Sequence, residues 1–267
     1  MTVSFAASLL LTATALLLLM AATFAVALRA SKHSVVDTAW GIALALTALV
    51  SLLATAGHGQ PVRRIALLAA CVLWGTRLAV HVARRNHGQP EDPRYRDLLS
   101  KAKNNTAVHA LRTVYLPQAL ILWLASFPVQ AGMLQRSPAG PVTLAGAALW
   151  LTGFAFESVG DAQLARFKRN PANRGLIMDR GLWRYTRHPN YFGDACMWWA
   201  LFLIGLGSWP GLLTAFAPLL MTVILTRGTG QRLTDRRMAA TRPQYADYAA
   251  RTSGFFPLPP RRPAVPR

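Results

Sequence analysis

Residues Val3–Leu28 read VSFAASLLLTATALLLLMAATFAVAL, without one charged side chain. A helix needs about 20 mostly apolar residues to cross the hydrocarbon of a bilayer, so this stretch predicts a membrane span. It lacks the basic flank and the clear small-residue cleavage site of a secretory leader and is read as a retained helix. The pattern repeats outward from it. Val35–Thr55 is interrupted only by Asp37, Val62–Ala83 contains Arg77 and His81, and Ala110–Gln130 and Val142–Val159 follow. Two shorter stretches, Tyr191–Gly207 and Gly211–Thr226, are joined by the turn Ser208-Trp209-Pro210-Gly211. The expected fold is all-α, a multi-pass membrane bundle of about seven transmembrane helices.

The composition agrees. Of 267 residues 53% are hydrophobic and only 15% charged, yet 29 Lys+Arg stand against 10 Asp+Glu, a net charge of +19. A soluble domain carries about 25% charged residues. A nucleic-acid partner is excluded because the basic groups fill short gaps between apolar runs instead of clustering on one polar surface. With seven spans the gaps alternate sides, and 25 of the 29 basic residues then fall on one side, in the gaps 29–34, 84–112 and 160–190 and the tail from Arg227. The positive-inside rule makes that side cytoplasmic, with the N-terminus outside and the C-terminus inside. Cys71 and Cys196 are too few for a disulfide framework or a zinc cluster, so no metal is expected. With no repeat or linker, residues 1–267 are read as one integral membrane domain with a core at about 30–258 and a Pro/Arg-rich tail at 259–267. The oligomeric state is not legible.

Ionisable groups inside spans are costly and mark function by default. Asp37 opens the second span and Arg77 lies within the third, although an Arg near a helix end also snorkels to the interface. Glu157 and Asp161, four residues apart, share a helix face. The densest signal is Gly181-Leu182-Trp183-Arg184-Tyr185-Thr186-Arg187-His188-Pro189-Asn190-Tyr191-Phe192-Gly193-Asp194. Pro189 suits the first turn of a helix. Arg184, Arg187 and His188 surround that helix start, and Asn190 and Asp194 share a face of it. Converging arginines at a helix N-terminus suit an anion.

That segment resembles the signature of the DUF1295 family, multi-pass membrane proteins grouped with the steroid 5-alpha-reductases. The likeness extends through Asp37-Thr38-Ala39-Trp40-Gly41, Leu73-Trp74-Gly75-Thr76-Arg77-Leu78, Glu91-Asp92-Pro93-Arg94-Tyr95 and Glu157-Ser158-Val159-Gly160-Asp161-Ala162-Gln163-Leu164, with Gly160 for the usual Ala. It ends on Arg242-Pro243-Gln244-Tyr245 through Phe256-Pro257. It departs at 229–235, where family members more often end on Glu and this chain has the shorter Asp235. The resemblance implies NADPH as cofactor and hydride transfer to the C=C of an apolar, steroid-like or other lipid enone that enters from the membrane. It assigns Asp161, Arg187, Asn190, Tyr191 and Asp194 to the surroundings of the cofactor, matches Arg77 to an arginine of the third helix and puts Tyr245 and Tyr248 in a C-terminal region that faces the cofactor; Glu157, Arg184 and His188 join this cofactor-binding set from the shared helix face and the helix start read above. The acid–tyrosine pair such chemistry needs falls to Asp37, the only acid of the first three spans, with Tyr115 as donor. No Gly-x-Gly-x-x-Gly follows a strand, so a Rossmann site is not available. Two alternatives stay open. One is a membrane methyltransferase resembling the isoprenylcysteine carboxyl methyltransferases and using S-adenosylmethionine, whose sulfonium would welcome the acids. The other is a non-enzymatic lipid-binding membrane protein.

Overall fold

The computed structural model describes residues 5–228 and 230–261. The start of the expected span at Val3, Thr229 of the divergent segment and 262–267 of the Pro/Arg-rich tail lie outside the described residues. The described chain is helical, without a named strand. The helices are α1 (Phe5–Ala30), α2 (Val36–Ala54), α3 (Pro61–Asn86), α4 (Pro93–Leu99), α5 (Thr106–Ala110), α6 (Leu116–Ala125), α7 (Phe127–Gly132), α8 (Pro141–Arg169), α9 (Pro189–Gly205), α10 (Phe216–Arg227), α11 (Gln231–Thr241) and α12 (Tyr245–Arg251). Six stretches among the described residues are long and apolar enough to cross a membrane: Phe5–Ala30, His33–Ala54, Pro61–Asn86, Thr106–Gly132, Pro141–Arg169 and Trp209–Thr241. The protein is an integral, multi-pass membrane protein. The remaining stretch expected from sequence, α9, begins at Pro189 as its ring dictates but is only 17 residues long.

Prolines shape the fourth stretch. Pro117 has no N–H to give the carbonyl four residues back, and its ring crowds that carbonyl. The helix widens there into a π turn over Leu111–Tyr115. Pro128 likewise divides α6 from α7.

The chain forms two compact units, Met1–Leu144 with Leu201–Ala217, and Ala145–Ala200 with Pro218–Arg267. In the first, α2 and α3 cross with backbone against backbone. A methyl on Gly41 would strike the Gly75 carbonyl oxygen, and one on Gly75 would strike that of Gly41. The two Trp-Gly pairs of the sequence are thus one crossing point, of the small-residue kind that apolar surroundings favour because helices there gain by close approach. Trp40 donates from Nε1 to Gln118 Oε1 at 2.5 Å. Thr12 on α1 donates to Gln130 Oε1 on α7 at 2.7 Å, and Gln130 donates to Ser126 Oγ at 2.8 Å.

Two buried arginines close helix ends in the same unit. Arg63 is 1% exposed and has no acidic partner among the described residues; it donates to the carbonyls of Ile204 (2.6 Å), Leu206 (3.1 Å), Ser137 (3.2 Å) and Pro138 (3.1 Å). Arg64 donates to Leu52 at 2.7 Å and also to the Thr55 and His58 carbonyls. Leu52 lies in the last turn of α2 and Ile204 in that of α9, where carbonyls lack intrahelical partners and the dipole is negative, so each guanidinium meets its complement there.

In the second unit α8 and α9 meet through glycine again. A Cβ on Gly153 would lie 2.6 Å from the Gly193 carbonyl oxygen, and one on Gly193 would lie 2.7 Å from the Glu157 amide nitrogen. Gly41→Ala would force the α2–α3 crossing apart and is expected to cost about 1–3 kcal/mol, read as a lowered melting temperature in detergent. An unchanged melt would show that the crossing has slack.

Candidate functional site

The second unit holds ten of the residues singled out from sequence: Glu157, Asp161, Arg184, Arg187, His188, Asn190, Tyr191, Asp194, Tyr245 and Tyr248. The end of α8 builds the base on which the segment before α9 rests. Gln163 accepts the Leu182 amide on Oε1 at 3.0 Å, and the Trp183 indole donates to the Gly160 carbonyl at 3.0 Å. Gly181 stands at φ +59 with the Gln163 amide where a side chain would be, so glycine alone fits the turn. Gly160 in place of alanine has a related reason, since a methyl there would come within 3.1 Å of Pro189.

The chain after α11 straps across this segment. Arg187 N donates to the Ser253 carbonyl at 2.9 Å, Leu258 N to Tyr185 O at 3.0 Å, and Thr186 Oγ1 to Phe255 O at 2.8 Å. Tyr248 donates its hydroxyl to Trp183 O at 2.6 Å, and Arg251 pairs with Asp179 at 2.6 Å.

Asp235 on α11 is the hub. Its Oδ2 accepts Arg187 Nη2 at 3.0 Å, and its Oδ1 meets His188 Nε2 at 2.6 Å and accepts the Tyr245 hydroxyl. His188 is 3% exposed and lies parallel to the Tyr191 ring, at 5.2 Å between centroids. Arg187 Nη1 also donates to the Ala249 (3.1 Å) and Thr252 (2.8 Å) carbonyls, while its buried Nε has no hydrogen-bond partner. Burial opposes the charge on Arg187, but the hydrogen bond and charge of Asp235 outweigh it and hold its pKa above the ordinary arginine value. Sequence reasoning singled out Arg187, His188, Tyr191, Tyr245 and Tyr248 but not Asp235, which ties three of them together. The signal was the one acid at the point where the family pattern departs. Gln163 was missed as a site residue although its motif was noted.

Arg184 is exposed and its side chain has no partner among the described residues; the Asn190 amide is likewise unengaged. Glu157 (5% exposed) and Asp161 (9%) are buried in the second half of α8, and Asp194 is partly buried on α9. Among the described residues no three His, Cys, Asp or Glu side chains converge on a point where a metal would sit.

The first unit holds Asp37, Arg77 and Tyr115. Arg77 is partly buried on α3. Asp37 is fully engaged: Arg94 donates to it at 2.8 Å, the Tyr95 hydroxyl at 2.5 Å, and Arg85 lies 3.7 Å away. Arg94 also pairs with Asp92 at 2.9 Å. Burial first, and then the Asp37 charge and hydrogen bond, push the Tyr95 phenol well above its ordinary range. Tyr115 shares a hydrogen bond of 3.1 Å with His33 Nδ1 instead of meeting Asp37. The acid and the tyrosine named from sequence therefore have different partners, and Tyr95 is the tyrosine on Asp37.

Burial first, and then the bond it donates to Asp235, raise the Tyr245 phenol above its ordinary value; burial and the nearby Tyr245 do the same for Tyr248. A pKa raised in the folded state means that the folded chain keeps a proton the unfolded chain has lost. The associated stability is present below about pH 10 and is lost as pH rises above it. Melting temperatures recorded from pH 8 to 11 are expected to fall steeply at the alkaline end, and less steeply in Tyr245→Phe. A slope untouched by both Tyr245→Phe and Tyr248→Phe would contradict this. Asp235→Asn, which leaves Arg187 without its counter-charge, is expected to cost about 1.5–3 kcal/mol.

Comparison with known proteins follows the same residues. The model of a family described as a protein of unknown function, DUF1295, matches residues 23–252. The chain is 30% identical over 200 residues to 3-oxo-5-alpha-steroid 4-dehydrogenase 1 of Bos taurus, covering 71% of this chain and 70% of that protein. It is 26% identical over 254 residues to an uncharacterised protein of Schizosaccharomyces pombe, covering 84% of this chain and 72% of that one. No solved structure matches. The family match takes in both Trp-Gly pairs, the segment from Gly181 to Asp194 and the Asp235 hub, and on that extent the chain belongs to the DUF1295 family.

Proposed function

We propose that the protein is a membrane-embedded NADPH-dependent reductase that delivers hydride to the C=C of an apolar enone, steroid-like or another lipid. The observation that carries this reading is the 30% identity with the bovine 3-oxo-5-alpha-steroid 4-dehydrogenase over most of both chains. The donor set is compatible with NADPH. Arg184 and the Asn190 amide are unengaged at the start of α9, the buried Arg187 Nε lacks a partner, and the neighbouring gap is rich in arginine. Guanidinium groups suit a pyrophosphate and a 2′-phosphate because their forked donors match phosphate oxygens in pairs. The cofactor would supply the hydride. Arg184 and Asn190 would bind its phosphates, and Asp235 would hold Arg187 and His188 in place, with Tyr191, Tyr245 and Tyr248 closing around them. Arg77, Glu157, Asp161 and Asp194 keep their proposed places in the cofactor's surroundings.

Proton delivery to the carbonyl side is assigned to Asp37 and the hydroxyl it holds, Tyr95, with Tyr115 as the second candidate donor. A donor at that oxygen matters because enolate charge develops there in the transition state. The charge layout is read with the N-terminus outside and the basic loops in the cytoplasm, where a nucleotide is available, while the substrate arrives through the bilayer. The comparisons lend no support to an S-adenosylmethionine-dependent methyltransferase or to a non-enzymatic lipid carrier.

Thermal shift of the purified protein tests the cofactor, since a ligand of the folded state stabilises it by mass action, by about 2.7 kcal/mol at a hundred times its Kd. NADPH is expected to raise the melting temperature, NADH to do so less, and S-adenosylmethionine not at all. Stabilisation by S-adenosylmethionine alone would sink the reductase. Arg184→Gln should weaken NADPH roughly tenfold and leave the ligand-free melt unchanged. Tyr95→Phe should lose turnover while NADPH affinity stays.

A further inference from the structure

The first unit contains an open cleft of about 490 Å³ outside the residues given a cofactor role, lined by Ala27, Leu28, Ser31, His33, Glu91, Arg96, Leu99 and Ser100. Its polar side is unusual in what is spent and what is left. Both oxygens of Glu91 are occupied by backbone amides: Oε2 accepts His33 N, and Oε1 accepts Ser34 N at 3.0 Å and Asp92 N at 2.9 Å. That carboxylate acts as an N-cap delivered from a distant segment and satisfies the first amides of the helix that begins at His33.

Two donors of its lining, on His33 and Arg96, are left without a partner among the described residues. Tyr115 is 0% exposed, and among the described residues its hydroxyl has the His33 ring nitrogen as its only hydrogen-bond partner. A buried hydroxyl must place its proton somewhere, so it donates to Nδ1, and the ring proton of neutral His33 then sits on Nε2. That Nε2 has no partner among the described residues, and neither does the exposed guanidinium of Arg96. Ser31, also in the wall, holds φ 48 without being glycine, the one such residue described. A conformation of this kind costs about 1 kcal/mol or more and is kept where the surroundings require it.

The other wall is apolar and continues into the membrane-facing side of α1. Leu28 is 47% exposed, on the same face of α1 as the exposed Leu10 and Leu17. A ligand held here could keep its chain among the lipids while its head meets the cleft.

From this juxtaposition we infer that the cleft binds an anionic amphiphile, with a carboxylate or phosphate head gripped by Arg96 and His33 Nε2 and an alkyl chain laid along Ala27, Leu28 and Leu99. A guanidinium and a ring N–H together offer donors that an acidic head satisfies. The apolar wall selects amphiphiles over small soluble anions. The inference does not depend on the reductase reading, and its test uses no nucleotide.

The full-length protein in phosphatidylcholine nanodiscs would be titrated with oleate, oleoyl lysophosphatidate, oleyl alcohol, acetate and inorganic phosphate, following the melting temperature. Oleate or the lysophosphatidate is expected to stabilise it, the better of the two identifying the head as carboxylate or phosphate, while acetate and inorganic phosphate do nothing. Arg96→Gln should weaken that binding roughly tenfold, and Leu28→Gln should weaken it independently from the apolar side. Equal stabilisation by oleyl alcohol, equal stabilisation by the chainless anions, no response to either anionic amphiphile, or an Arg96→Gln protein that binds unchanged would each overturn the inference.

Discussion

Away from water, a backbone carbonyl or amide without a partner costs more than most side-chain contacts return. Much of this architecture follows from that constraint. It makes the spans helical and brings polar groups to the places where helices end or are broken. Arg63 and Arg64 show the rule in its barest form. Each is a charge without a carboxylate among the described residues, made tolerable by carbonyls that a helix C-terminus leaves unpaired. Glu91 does the reverse at the start of the second span, where its oxygens take up amides that the helix itself cannot serve.

Once backbone needs are met within each helix, packing is left to decide how helices approach. Nothing apolar drives one helix onto another in lipid, so close approach must come from small residues and a few polar contacts. The pairs Gly41 with Gly75 and Gly153 with Gly193 fill the first role. Bonds such as Thr12 to Gln130 and Trp40 to Gln118 fill the second.

In the second unit a single carboxylate organises the candidate site. Asp235 holds an arginine, a histidine and a tyrosine that arrive from two separated segments, so the site is sensitive to the strap formed by α12 and the chain after it. The arginine most suggestive of phosphate binding in the sequence, Arg187, spends most of its donors inside the protein. Arg184, less prominent in the motif, is the one left exposed. Motif density therefore did not distinguish the side chains held inside the protein from those left exposed.

What the sequence by itself determined was the class of the fold and the stretches apolar and long enough to cross a membrane. Hydrophobic length and the confinement of charge are local properties, and local properties are written along the chain. Pro189 likewise announced the start of α9. Only the tertiary structure decided which partners the residues take: that the two Trp-Gly pairs are one crossing, that Asp37 belongs to Tyr95 and Arg94 and not to Tyr115, and that Asp235 joins Arg187, His188 and Tyr245. The physical reason is that a side-chain hydrogen bond depends on geometry to within a few tenths of an ångström. Residues nearly fifty or more positions apart, such as Arg187 and Asp235 or Asp37 and Tyr95, acquire that geometry only when the helices between them have packed.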